Sequence, residues 1–323
     1  MLTQFNNRVF GSVILKSINS NFNADFTHHP RTLPDGIVYS TDKALKYSIK
    51  DYFKKIDNQG NLFFVKRLND NLNPLTLDET YIKLFGDFPT NNNVDVRRKE
   101  VLENLLKCLD IRLFGATFAG KANISIHGPL QINHGVNKFQ DNDIYTEDIL
   151  SPFRNPGKEG SDEKEMSTLG NQTNLREGHY VFHFSVNPKN TAEFYDMINK
   201  DKNDEQKFYL SVDDITKLKA ALNNSVTVLD SSRKIGTENE ATIWVQLTEN
   251  SKKVLPSFTE LIKVTKENDT TIIDCTKVQK NLMEIDSDIE KVEIFYNPVT
   301  TNVIGCDPGG KIKHFNILND KEL

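Results

Sequence analysis

Cysteine is scarce in this chain, and odd in number. The 323 residues hold three, Cys108, Cys275 and Cys306, far apart in sequence. They make neither a disulfide framework nor a Cys-rich zinc site, so a reducing cytoplasm is the expected setting. Long apolar runs are missing too. No stretch approaches the roughly 20 apolar residues of a membrane span, and MLTQFNNRVF (1–10) has no signal-type apolar core, so no membrane association is expected. Catalytic and nucleotide-binding signatures are also absent: there is no HExxH, GxSxG, Walker A loop or GxGxxG. DPGGKIKHF (307–315) carries a turn and two lysines without P-loop spacing and reads as a hairpin. His28, His29, His127, His134, His179 and His183 have no Cys/His framework around them, so core or edge roles are expected, with no metal and no cofactor.

What is present is charge, unevenly spread. The formal net charge is −5, with 26% charged residues and a mean hydropathy of −0.51, the profile of a soluble globular protein long enough for a substantial core. Residues 1–140 hold 18 Lys+Arg against 13 Asp+Glu, while 141–323 hold 22 against 32. A basic front and an acidic back suit a polyanion on one face and a protein neighbour on the other; two solvated faces would read alike.

Periodicity predicts a first strand at RVFGSVILK (8–16), with Val9, Val13 and Leu15 on one side, then a long polar loop over 17–39 of the kind that carries function. A helix follows at 40–55, a short strand at NLFFVKRL (61–68), and helices over 76–85 and 94–110. An interrupted strand pair is expected around Gly128–Pro129, and 150–178 reads as an extended excursion too poor in apolar residues to fold alone. HYVFHFSVNP (179–188) alternates as a strand, 211–224 is a helix capped by Ser211, and strands are expected near 241–247, 270–275 and 291–297. This order fits one α+β domain over 1–323, a ferredoxin-like (RRM-like) sheet with large insertions, 61–120 being one of them.

The helix STDKALKYSIKDYFKK (40–55) is the densest cationic segment. At about 100° per residue, Lys46, Lys50 and Lys54 lie within about 60° of Lys43, opposite Leu45, Ile49, Tyr52, Phe53 and Ile56. Tyr47 shares the cationic line, Lys55 lies off it, and Asp51 and Asp42 can neutralise only part of it. The loop before it adds His28, His29 and Arg31. A cationic line beside a polar loop suits successive phosphates of a nucleic-acid strand; a solvated surface helix has the same pattern. Asp25 in that loop offers either a catalytic carboxylate for RNA cleavage or an ordinary Asx turn.

Several of these motifs resemble one family. TDKALKYSIKDYF (41–53) is similar to the TD…LKR…IRDY helix of the CRISPR-associated "Cas-seven" backbone subunits of type I-B Cascade, in the RAMP superfamily. SNFNADFTHHPRTLPDG (20–36) resembles that family's NPNGDP…PR…DG loop. DIRLFG with GPLQI, then STLGNQTNLREGHYVFHFSVNP (167–188), resemble its D.RLFG…GPVQ and ST…G…GLYVF…VNP elements, in the same order. The resemblance implies an RRM-like palm with finger-like insertions and a thumb hairpin, here 150–178, in a non-catalytic subunit that polymerises along a CRISPR guide RNA. Its implied partners are that guide, the paired target DNA strand, further copies of itself and other Cascade subunits. Related type III subunits cut RNA with a loop aspartate, which would be Asp25.

Carried over residue by residue, Arg31 matches the loop arginine, Lys46 the lysine of LKR and Lys50 the arginine of IR. With Lys43, Lys54, Tyr47, His28 and His29 they form the expected RNA-binding set, and Met166 or Leu169 is implied as the thumb's wedge at a base step. Tyr47 replaces the arginine of LKR, Phe22, Ala24 and Phe26 replace Pro, Gly and Pro of NPNGDP, and Lys50 keeps charge without a bidentate fork.

Overall fold

Apolar residues on both faces of one strand set the architecture. The computed structural model describes residues 3–57, 61–140, 143–154 and 166–323, with the side chains of 56–57, 151–154 and 166–169 outside that description. Strand β1 (Val9–Ser20) turns Val9, Val13 and Leu15 to one core and Phe10 and Ile14 to another. After a loop come β2 (Tyr39–Ser40) and α1 (Asp42–Tyr52), which runs on into a π-helical turn, Phe53–Asp57. Helices α2 (Leu77–Phe85), α3 (Val94–Leu105) and α4 (Leu109–Phe114) precede the pair β3 (Gly115–Ala119) and β4 (Asn123–His127). The short β5 (Leu130–Ile132) and β6 (Gly135–Asn137) lead to the long β7 (Ile144–Arg154) and β8 (Met166–Val186).

The second half adds α5 (Ala192–Asn199), α6 (Val212–Asn224) and β9 (Thr237–Leu247). It ends with β10 (Lys263–Glu267), β11 (Thr270–Asp274), α7 (Thr276–Met283), β12 (Ile289–Tyr296), β13 (Thr301–Ile304) and β14 (Ile312–Asn316). Among the described residues nine strands share one sheet, in the order β14–β12–β9–β1–β8–β6–β2, with β5 and β7 also on β8. β1 is antiparallel to both β8 and β9.

Each face of that sheet is covered. On one side Leu45 and Ile49 of α1 and Ile215, Leu218 and Leu222 of α6 pack on Val13, Leu15, Phe182, Phe184 and Trp244. On the other, Phe258, Ile262, Val278 and Leu282 cover Phe10, Ile14, Val181, Ile243 and Val245. Burial of each such side chain stabilises the fold by roughly 1.5–3 kcal/mol. A third core, built from Phe63, Tyr81, Leu105, Ile111, Phe118 and Ile126, belongs to the α2–β4 region, with Tyr195 and Ile198 of α5 joining it.

Several expected elements take another form. NLFFVKRL is not a strand: Asn61 makes a single bridge to Cys108, and the Phe63 and Phe64 amides donate to Asp110 Oδ1 and Oδ2 at 2.8 and 2.7 Å, so a carboxylate takes the place of a ladder. The expected helix over 94–110 breaks after Leu105. Lys107 and Cys108 amides bond back to Asn104 and Leu105, and the Leu109 amide leaves for Asn61, which restarts the chain as α4. The strand pair around Gly128–Pro129 is split between partners, β4 joining β3 and β5 joining β8. DPGGKIKHF closes as a tight turn, Gly309 and Ile312 exchanging both amide-to-carbonyl bonds in an antiparallel bridge, but the strand that leaves it, β14, lies parallel to β12.

The excursion at 150–178 lies largely on β7 and β8, apart from residues 155–165, which fall outside the described part. Beyond Leu175, where β8 leaves β1, β8 pairs among the described residues with β7 alone, from Ile144 opposite Leu175 to Arg154 opposite Met166. The two strands thus continue as a ribbon past the sheet.

Gly11 tests the central strand. A Cβ there would stand 2.3 Å from the Ile243 carbonyl oxygen and 2.3 Å from the Phe184 ring. Backbone and a packed ring must both shift to admit a methyl, so Gly11→Ala is expected to lower unfolding stability by about 1–3 kcal/mol in a urea titration.

Candidate nucleic-acid interface

α1 begins where the loop 21–38 is tied to it. Thr41 is the N-cap residue but its own side chain caps nothing; instead Asn23 Oδ1 accepts from the Thr41 amide and hydroxyl, both at 2.9 Å. The Asn23 carbonyl also accepts from the Arg31 amide at 3.4 Å. One side chain and its own backbone therefore join loop and helix start. The loop itself is two tight turns, closed by the bridges Ala24–Pro30 and Thr32–Val38.

Asp25 makes the first of those turns. Its Oδ1 accepts from the Thr27 amide and hydroxyl and from the His29 amide at 2.7–3.0 Å, and the Thr27 hydroxyl with these amides holds its carboxyl below the usual aspartate range. His28 sits at φ 70° beside it, and His28 and His29 are exposed. Of the residues that depart from the motif, Phe22 is fully buried, whereas Phe26 is 97% exposed. Arg31 is half-buried; its Nε has no acceptor, and the guanidinium makes no ion pair among the described residues.

The lysines do not form one uniform outward line. Lys43 stays open, with its side chain 81% exposed, and Lys46 is only 21% exposed; both bind the nearly buried Asp42, at 2.8 and 3.1 Å. Their hydrogen bonds and charge outweigh the burial of Asp42 and hold its carboxyl below the ordinary value. Lys46 Nζ lies 5.7 Å from the Phe114 ring centroid and Lys50 Nζ 5.9 Å from that of Phe64, so the α2–β4 region flanks this side of the helix. Burial pulls the Lys50 ammonium down and Asp110 behind it pulls it up, with a net fall. Asp110 is itself pushed up by burial, against its two amide bonds and the Lys50 charge. Lys54 is exposed, and Asp51 pairs at 2.9 Å with Lys55 rather than with Lys50 or Lys54 as its sequence position implied.

The opposite flank of α1 holds Tyr47, 53% exposed. Lys234, from the turn before β9, places its Nζ 5.4 Å from the Tyr47 ring centroid and 5.4 Å from that of Phe22. In sequence, Lys234 carries one local signal, the basic pair Arg233–Lys234 just ahead of Gly236. Asn23, which ties the loop down, reads there as an ordinary polar residue. Met166 and Leu169 lie at the far end of β8, and their side chains are outside the described part.

The histidines disperse. His179 is buried, with Nδ1 at 2.5 Å from Glu240 and Nε2 at 3.4 Å from Glu177, and His183 stacks on Phe10 and meets Phe258 at a tilt. His134 sits 3.8 Å from Asp42. Among the described residues no group of three or more His, Cys, Asp or Glu gathers with metal-binding geometry, and no helix is long and apolar enough to cross a membrane.

Chemically, the surface combines cations, exposed aromatics and a hydrogen-bonded loop, features that suit a single-stranded polyanion. No curated protein matches the chain as a sequence relative. A solved chain from a CRISPR RNA-guided surveillance complex is 11% identical, with 91% of each chain covered and a TM-score of 0.49. One from a pre-nicking CRISPR RNA-guided surveillance complex is 10% identical over 96% of each chain, with a TM-score of 0.50, a likeness of fold. The family model of CRISPR-associated protein Cas7 matches residues 7–288. That match runs from just before β1 to just before β12 and takes in the loop, α1, the α2–β4 region and the β7–β8 ribbon: this chain belongs to the CRISPR-associated protein Cas7 family.

Proposed function

We propose that the protein is a non-catalytic backbone subunit of a Cascade surveillance complex, polymerising along the CRISPR guide RNA and presenting it to the paired target DNA strand in antiviral defence. Its neighbours are further copies of itself and other Cascade subunits, and the helix and loop motifs favour type I-B. Membership of the Cas7 family supports this. The observation that carries it is the joining of Arg31 to the start of the lysine helix through Asn23, with the Arg31 guanidinium left without a carboxylate among the described residues. Arg31, Lys43, Lys46, Lys50 and Lys54 hold phosphates by charge, without reading sequence. His28, His29 and Tyr47 border them.

In this reading β1, α1, β6, β8, α6 and β9 are an RRM-like palm of ferredoxin type. Its support is the adjacency β9–β1–β8–β6 and the packing of α1 and α6 on the same face. Residues 61–120 serve as fingers and the β7–β8 ribbon as a thumb that reaches the next copy, with Met166 or Leu169 as its wedge. Three cysteines, all buried and unbridged, agree with a cytoplasmic setting.

Lys43 and Lys54 are exposed, and Asp42 keeps Lys46 when Lys43 is removed, so their double replacement by alanine is expected to leave the fold intact. Titration with single-stranded guide RNA across a salt series is expected to show weaker binding and a log–log salt slope shallower by roughly 1.4, about 0.7 per lost phosphate contact. Unchanged affinity and slope would overturn the assignment.

Asp25 is the residue on which the competing endoribonuclease reading turns. Its Oδ1 is committed to the turn, which makes it a positioning group for the loop. Incubation with Mg²⁺ and a guide-paired RNA is expected to leave that RNA whole; regular cleavage abolished by Asp25→Asn would replace the scaffold reading with the nuclease one.

A further inference from the structure

We propose that Lys234 is a guide-phosphate contact, held in place by the rings of Phe22 and Tyr47 and adding a cation on the flank of α1 where that helix itself carries a tyrosine. The inference rests on the RNA-binding reading above and adds a residue from a distant part of the chain.

Three features carry it. The first is anchorage. Lys234 belongs to a turn whose backbone is fixed: the Lys234 and Ile235 amides donate to Ser231, Thr237 donates to Lys234, and the loop before α1 and β1 donate to Arg233 and Gly236 through Asn21 and Ile18, all at 2.8–3.0 Å. Gly236, at φ 93°, leaves room for this, since a Cβ there would lie 2.4 Å from the Ile18 carbonyl oxygen.

The second is an incomplete set of partners. An ammonium has three donors. The Lys234 Nζ lies 5.4 Å from the centroid of each of two aromatic rings, and among the described residues it makes no ion pair and no side-chain hydrogen bond. Rings attract a cation, yet they accept no ordinary N–H bond, so its donors remain open to an oxyanion. Burial pulls this ammonium below the usual lysine range, Asp51 pulling it partly back, and an anion alongside would offset that desolvation. The carboxylate of Asp51 is itself taken by Lys55, and Asp230 acts on Lys55 as well.

The third is placement. Tyr47 lies on α1 one turn after Lys43 and one turn before Lys50, and two before Lys54. Lys43 to Lys54 spans about 16 Å of helix axis. A strand following those lysines passes over Tyr47, where the helix has no charge and Lys234 supplies one. The exposed ring beside it offers a base a stacking face.

The test uses the full chain, a fluorescent single-stranded RNA and anisotropy titrations over a salt series. Lys234→Met keeps the aliphatic stem against both rings and removes the charge. It is expected to weaken binding several-fold and to flatten the log–log salt slope by roughly 0.7. Lys234→Arg should bind like the parent chain. The decisive variant is Lys234→Met with Tyr47→Arg, in which α1 regains a cation at that position; restored affinity and slope are expected. If Lys234→Met binds like the parent while the Lys43/Lys54 double variant weakens, this proposal falls and the RNA-binding reading stands. If neither changes binding, both fall. If Lys234→Met weakens binding with an unchanged salt slope, or if Tyr47→Arg restores nothing, Lys234 acts on the fold and not on phosphate, which overturns the proposal.

Discussion

The structure depends on a strand that is apolar on both sides. Because β1 buries Val9, Val13 and Leu15 on one face and Phe10 and Ile14 on the other, a sheet centred on it must be covered twice. The helices α1 and α6 supply one cover and the C-terminal third supplies the other. Covering the sheet turns the apolar stripe of α1 inward, and its lysines then have only the helix's outer side and flanks. The site is thus a by-product of how the core closes.

Which lysines remain open is decided by their neighbours. Asp110, buried and holding the Phe63 and Phe64 amides, fixes the start of the α2–β4 region and so places Phe64 under Lys50. Phe114 does the same for Lys46. Aromatic rings hold these ammonium groups without neutralising them, whereas a carboxylate such as Asp42 partly cancels Lys43 and Lys46. The half-buried cations have the fewest orientations open to them. An ordered cation loses less conformational entropy on meeting a phosphate than a freely moving surface lysine does.

Much of this was legible in sequence because it is local. The amphipathic spacing of 40–55, the Ser211 cap of α6 and the alternation of 179–186 depend on neighbours a few residues away, and each formed at the stated place. The readings that needed correction each involved a distant partner. A strand at 61–68 looked sound by composition until a carboxylate at Asp110 took its amides. The pair at 123–132 looked like one unit until β3 and β8 divided it.

The sequence alone determined that a cationic helix with one apolar stripe follows a polar, turn-rich loop, and its motifs pointed to the family. Helical period, turn chemistry and charge are properties of short stretches, readable one residue after another. Only the tertiary structure decided that Lys46 and Lys50 are half-buried beside phenylalanines, that Asn23 locks the loop to α1, and that Lys234 stands beside Tyr47. Those contacts join residues far apart in the chain, and burial sets the electrostatic environment of a charge only after the chain has closed around it.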